Sequence, residues 1–194
     1  MNDKKQHKMK NILIILTALF FSIQASADGP SEGQLAPDFE ITQLDGTQFK
    51  LSDYKGKQSV YLVFWNTWCT FCMKKIPKLK AIQANLADDI KIIAVNTTNK
   101  DSVIESKNFQ QYFKITYPLA FDHGKKVTDM YGVWGTPTEF IIDINGIIQY
   151  RDGVPDKVEN YLGKWNSIEE SYSKIFKVYL NIVKTFINHV NQTS

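Results

Sequence analysis

The chain of 194 residues holds two cysteines, Cys69 and Cys72, spaced C-x-x-C. Two thiols at that separation can close a structural bridge, hold half of a metal site, or trade disulfides with another molecule. A bridge so short encloses too little chain to remove much entropy from the unfolded state. Zinc wants four ligands, and the histidines outside the N-terminal segment, His123 and His189, lie far along the chain from the pair. Redox exchange by a dithiol is therefore the leading reading, with a metal site or an inert pair as the alternatives.

The flanking residues say which elements must hold the pair. Val60–Trp65 (VYLVFW) is a short run of β-branched and aromatic residues, as in a buried strand. Ile76, Leu79, Ile82 and Leu86 recur downstream at helical spacing. The cysteines thus fall where a strand ends and a helix begins. There the helix dipole and free N–H groups face the first sulfur and favour its thiolate. Cys69, at the helix tip, is expected to be reachable by an outside disulfide and to act as nucleophile. Cys72, one turn in, is placed to resolve the mixed disulfide.

Composition bounds the rest. At 43% hydrophobic and 22% charged the chain is globular, with room for one core. Its formal charge of +3 resides in residues 1–27, where Lys4, Lys5, Lys8 and Lys10 face only Asp3; the remainder is neutral, which gives no footprint for nucleic acid. The Lys-rich start, the apolar run Ile12–Ile23 and Ala25-Ser26-Ala27 read as a signal peptide over residues 1–27, cleaved after Ala27. The run is too short to span a bilayer as an ordinary helix; an uncleaved anchor is the alternative. The expected location is periplasmic or otherwise extracytoplasmic.

Phe64-Trp65-Asn66-Thr67-Trp68-Cys69-Thr70-Phe71-Cys72, with Pro77 beyond it, resembles the active-site stretch of the thioredoxin superfamily. Trp134-Gly135-Thr136-Pro137-Thr138-Glu139-Phe140 resembles that family's cis-proline loop, which lies against the disulfide and presents backbone to substrate. The cis Thr136–Pro137 bond rests on the resemblance; an ordinary trans turn is the alternative. A hairpin over 34–56 around Asp45-Gly46, strands at Ile90–Val95 and Tyr117–Phe121, helices at Ser102–Phe113 and Gly124–Tyr131, and a closing hairpin around Asn145-Gly146 complete the pattern. The hairpin, the inserted βα unit and the signal peptide together resemble the TlpA/ResA group of extracytoplasmic thiol–disulfide oxidoreductases.

The resemblance implies an α/β thioredoxin-like fold, a central mixed sheet flanked by helices with an N-terminal β-hairpin, over residues 28–163. It implies protein thiols and disulfides as substrates, a membrane electron donor or acceptor, and no cofactor beyond the Cys69–Cys72 disulfide; no metal is expected. Reduction of protein disulfides, as in cytochrome c maturation, is the leading function. A disulfide-forming oxidase and an interaction module with little turnover are the alternatives. The Pro-x-x-x-Thr-x-x-Cys pattern of peroxiredoxins is absent, Leu62 and Asn66 standing in its places.

Two departures concern proton transfer. Many thioredoxins carry a buried acid six residues before the first cysteine, where this chain has Val63; ResA-like proteins often carry a glutamate three residues after the second, where it has Lys75. Lys75 is either a solvated helix lysine or a cation that favours thiolate and so a more oxidising couple. Glu139, two residues past Pro137, is the nearest candidate acid unless strand alternation turns it to solvent. Trp68 and Thr136 are expected to support the site.

Residues 164–194 exceed what the family needs. Tyr172, Phe176, Tyr179, Val183, Phe186 and Val190 form a heptad-like seam, widened by Ile168, Ile175 and Ile182. A long C-terminal helix is expected. It either packs in part on the sheet or buries its stripe, residues 167–190, against a second copy or a partner.

Overall fold

The Asp45-Gly46 pair turns the chain between β1 (Glu40–Thr42) and β2 (Gln48–Lys50), with Gly46 at a φ of +90° and the Asp45 carboxylate accepting the Thr47 N–H. Left-handed backbone of that kind is open to glycine at little cost. β3 (Ser59–Trp65) follows, and every residue of it is buried. After it come α1 (Thr70–Asn85), β4 (Ile90–Asn96), α2 (Val103–Tyr112), β5 (Leu119–Phe121), α3 (Lys126–Met130), β6 (Thr138–Ile142) and β7 (Ile148–Arg151). The computed structural model describes residues 29–164. The expected signal peptide and nearly all of the C-terminal extension lie outside the described residues.

The strand order is β5-β4-β3-β6-β7. β3, β4 and β5 are parallel, β6 runs antiparallel to β3, and β7 pairs back on β6. This is the central mixed sheet expected of the sequence. Alternation along β3 divides the core: Val60, Leu62 and Phe64 join one apolar cluster, and Tyr61, Val63 and Trp65 the other. Cys72, Ile76, Leu79 and Ile82 of α1 pack in the second cluster together with Leu162, from a helical turn at 159–164. The β1–β2 hairpin and α3 cover the opposite face through Phe39, Phe49 and Val127.

Local chemistry explains where the elements differ from expectation. The helix expected over Gly124–Tyr131 starts only at Lys126, because Gly124 and Lys125 adopt positive φ values of 77° and 58°. Asp122 instead accepts the N–H groups of Val127 and Thr128 and opens α3 there. β6 begins at Thr138, two residues before the strand expected from Phe140. α1 runs on through Pro77 as one helix, although Pro77 has no N–H to offer the carbonyl of Met73.

Two features of the connections position the site. The loops after β3 and β4 and the loop before β6 meet at one end of the sheet, since Trp65 pairs with Asn96 and Phe64 with Thr138. Ligands of α/β sheets gather at that end. The N-terminal segment is also tied down. Ile148 donates its N–H to Gln34, Arg151 Nη1 donates to the Pro30 carbonyl, and a Cβ on Gly29 (φ +73°) would fall 2.4 Å from the Tyr131 carbonyl oxygen.

Candidate active site

Cys69 is the N-cap of α1, in extended backbone, and its Sγ accepts the Cys72 N–H at 3.1 Å. No acidic residue stands in the first helical turn to oppose the field of the helix N-terminus. The pair forms a disulfide with S–S 2.04 Å. The strand–helix junction expected for the cysteines is thus observed. The expected contrast in access is not: Cys69 and Cys72 are 4% and 6% exposed. Both belong to the apolar cluster beneath α1, and the Cys69 N–H reaches the Asn66 carbonyl of the preceding turn. What distinguishes the sulfurs is the donor aimed at Cys69.

Aromatic rings rim the disulfide. Trp68, Phe71 and Trp134 are 51%, 66% and 88% exposed, unusual for rings of this size unless a surface is used for contact. Trp68 is oriented by its Nε1–H, which donates to the Asn99 carbonyl at 2.9 Å. The Thr136–Pro137 peptide bond is cis, as the resemblance implied. A cleft of about 210 Å³ opens beside the rim, lined by Asn66, Trp68, Thr97, Asn99, Trp134 and Thr136 among others.

The acid question has a definite geometric answer. Glu139 does not turn to solvent; it is 4% exposed. In the β3–β6 register it stands directly opposite Val63, so the two side chains share the face of the sheet that α1 covers. Its carboxylate accepts the Tyr61 hydroxyl at 2.5 Å and the Lys75 ammonium at 2.8 Å. Burial first, and then the Glu139 charge, push the Tyr61 hydroxyl far above the ordinary phenol range, so it stays a donor. Lys75 is thus not simply solvated, since its ammonium is paired with Glu139. One turn on, burial lowers Lys78 from its ordinary value, partly offset by Glu139; its ammonium donates to the Pro155 carbonyl at 2.7 Å.

Cys72 and Lys75 also share a small cavity of about 20 Å³ with Val63 and Trp65. That is room for one water. The Trp65 indole N–H has no hydrogen-bond partner among the described residues. Among the same residues no group of three His, Cys, Asp or Glu is placed to hold a metal ion.

Three site residues escaped the sequence reading: Asn66, Asn96 and Asp101. Asn66 and Asn96 close two neighbouring buried strands, Asn96 pairing with Trp65, and both are buried. The signal available was an asparagine at the end of each apolar run, which is a polar group that must find partners.

Comparison with known proteins agrees with this geometry. The profile of the AhpC/TSA family matches residues 33–151. The thiol-disulfide oxidoreductase ResA of Bacillus cereus (strain ATCC 10987 / NRS 248) is 34% identical over 161 residues, covering 79% of this chain and 91% of that protein. The thioredoxin-like protein YneN of Bacillus subtilis (strain 168) is 38% identical over 122 residues, covering 62% and 71%. Among solved structures, the pneumococcal exposed lipoprotein thioredoxin Etrx1 of Streptococcus pneumoniae strain TIGR4 superposes with a TM-score of 0.57 at 29% identity, covering 66% of this chain and 99% of that one. A strand-end dithiol under a helix N-terminus, a cis-proline loop beside it and these relatives lead to one conclusion: the chain belongs to the AhpC/TSA family and is a thiol–disulfide oxidoreductase of thioredoxin-like fold.

Proposed function

We propose that this oxidoreductase is exported and reduces protein disulfides outside the cytoplasm, with Cys69 as nucleophile, Cys72 as resolving thiol and Glu139 as proton acceptor. The Cys72 N–H directed at Cys69 Sγ carries the reading, since it stabilises charge on that sulfur alone. The Cys69 thiolate attacks the substrate disulfide and one substrate thiol leaves. Cys72 passes its proton towards Glu139, and its thiolate attacks Cys69 Sγ. The second substrate thiolate leaves and takes up a proton. Two electrons pass from the protein dithiol to the substrate, and a membrane electron donor returns them. Trp68, Thr136 and Pro137 shape the surface on which the substrate polypeptide lies.

The Lys75–Glu139 pair supports the reductive direction of electron flow. An unpaired Lys75 would favour thiolate and an oxidising couple; paired at 2.8 Å it contributes little net charge. Equilibrating the Cys69–Cys72 couple with a glutathione series is the test. A potential below about −220 mV is expected of a reductase, and one near −120 mV would make the protein an oxidant instead. Within the group the chain resembles, cytochrome c maturation is the use we propose.

Export rests on residues 1–27, with Asp28 as the mature N-terminus; the exposed lipoprotein named among the structural relatives supports an extracytoplasmic setting. Among the described residues no helix is long and apolar enough to cross a membrane. For residues 164–194 we propose that the apolar stripe is buried against a second copy or a partner, because such a stripe left in water is an aggregation hazard. Light-scattering mass of the mature protein is expected to fall from dimer to monomer, or a partner to be lost from pull-down, when residues 167–194 are removed. A full-length monomer whose truncation changes neither stability nor pull-down would refute this.

A further inference from the structure

The three loops that meet at the active end of the sheet are joined by one side chain. Asn66 is 1% exposed. Its amide nitrogen lies within hydrogen-bond reach of Asn96 Oδ1 (3.3 Å), the Asn99 carbonyl (3.4 Å) and Asp101 Oδ2 (3.2 Å). Its carbonyl oxygen accepts the Thr97 hydroxyl at 2.8 Å and the Thr136 hydroxyl at 3.3 Å. Asn66 itself belongs to the active-site turn, where its backbone carbonyl receives the Cys69 N–H. Asn99 and Asp101 belong to the loop after β4, and Thr136 to the cis-proline loop.

Two further observations show that the arrangement is held rather than incidental. Asp101 reaches back to the active-site turn and accepts the Thr67 N–H at 2.8 Å, the Thr67 hydroxyl, and the Asn96 amide at 2.7 Å. The loop it anchors contains Thr98 and Lys100 at φ values of 64° and 52°. Left-handed backbone is costly for a β-branched residue and persists only where the surroundings enforce it. Here the Thr98 N–H is fixed on Asn96 Oδ1 at 2.8 Å, the oxygen that also faces Asn66.

We infer that Asn66 is a positioning residue for polypeptide substrates: it sets the spacing between the active-site turn and the cis-proline loop and so shapes the cleft beside the disulfide. The inference rests on the oxidoreductase reading and deepens it. Asn66 offers neither charge nor proton to the sulfurs, so its effect falls on the part of the reaction that depends on where a polypeptide lies. A disulfide too small to span both loops depends on it less.

Single-turnover oxidation of the reduced full-length protein, followed by tryptophan fluorescence, separates the two. One oxidant is glutathione disulfide; the other is an extended ten-residue peptide whose cysteine carries glutathione. In each case one dithiol is oxidised and one disulfide becomes two thiols. Thr136→Val keeps the side chain's size, removes its bond to Asn66 across the loops, and is expected to slow the peptide about three- to tenfold, the worth of one neutral hydrogen bond, and glutathione disulfide clearly less. Thr136→Ser, which keeps the hydroxyl, is expected to restore the peptide rate. Asn66→Ala is expected to act in the same direction and further; if it does not fold, the Thr136 pair decides. Equal slowing of both oxidants, or a serine no better than valine, would overturn the inference. A wild-type protein oxidised by neither reagent would instead count against the oxidoreductase reading itself.

Discussion

Cys69→Ser is expected to bring disulfide exchange down to background, a loss on the order of 10⁴-fold or more, as when other covalent nucleophiles are removed. Cys72→Ser is expected to do something different, which is to halt the reaction half-way. With Cys69 intact the first attack proceeds, but no second sulfur stands beneath the mixed disulfide to release it. Incubation with a glutathionylated substrate followed by mass spectrometry should find the adduct on Cys69 in Cys72→Ser and no adduct in Cys69→Ser. The geometry predicts that order of roles because the donor from Cys72 N–H points at Cys69 Sγ and favours charge on that sulfur. If Cys72 proves the faster thiol to alkylate near neutral pH, the roles are reversed.

The second large effect is expected at Glu139. Replacement by glutamine keeps the shape and an acceptor for the Tyr61 hydroxyl, and it removes the charge. Resolution of the mixed disulfide is expected to slow about a hundredfold, within the range of a lost general base, while the first attack by Cys69 does not slow. Quenched-flow sampling would then show the mixed disulfide building up in Glu139→Gln and passing unseen in wild type. Glu139→Ala is expected to cost about 2 kcal/mol of stability besides, since it leaves the buried Tyr61 hydroxyl without its partner. The ammonium of Lys75 adds less, because its side chain is 32% exposed and can turn to water. Were Glu139→Gln to resolve the intermediate at the wild-type rate, Glu139 would be a structural acid only.

How far the sequence could reach is instructive in these same residues. The dithiol at a strand–helix junction was legible because its signals are local: an apolar run before, a helical period after, and a spacing between. Glu139 was legible as an acid but not as a buried one. Which face a strand residue takes depends on register, and it was the pairing with Val63 that turned Glu139 inward. Lys75 followed from that, since a cation on α1 can only be read as paired once the sheet beneath it is known. Asn66 was the least legible. Its partners lie 30 to 70 positions away, and an asparagine in a turn has many local explanations. The late start of α3 was hidden in Gly124 and Lys125, whose positive φ values no periodicity reports.

The close pass of Gly29 over Tyr131 gives the start of the chain a mechanical meaning. The backbone of Gly132 is also within 2.7 Å of where a Cβ on Gly29 would sit, and Val133 and Trp134, next along, border the cleft. The chain thus passes against the rim of the active end only two residues after Ala27. If the leader stayed attached as an anchor, the tether from Ile23 to Gly29 could reach no more than about 20 Å when fully drawn out. An anchored protein would work as though on a short leash, with its disulfide kept close to the lipid headgroups and its choice of substrates narrowed to what passes there. Cleavage after Ala27 would let the same catalytic face roam, with no change to the folded domain at all.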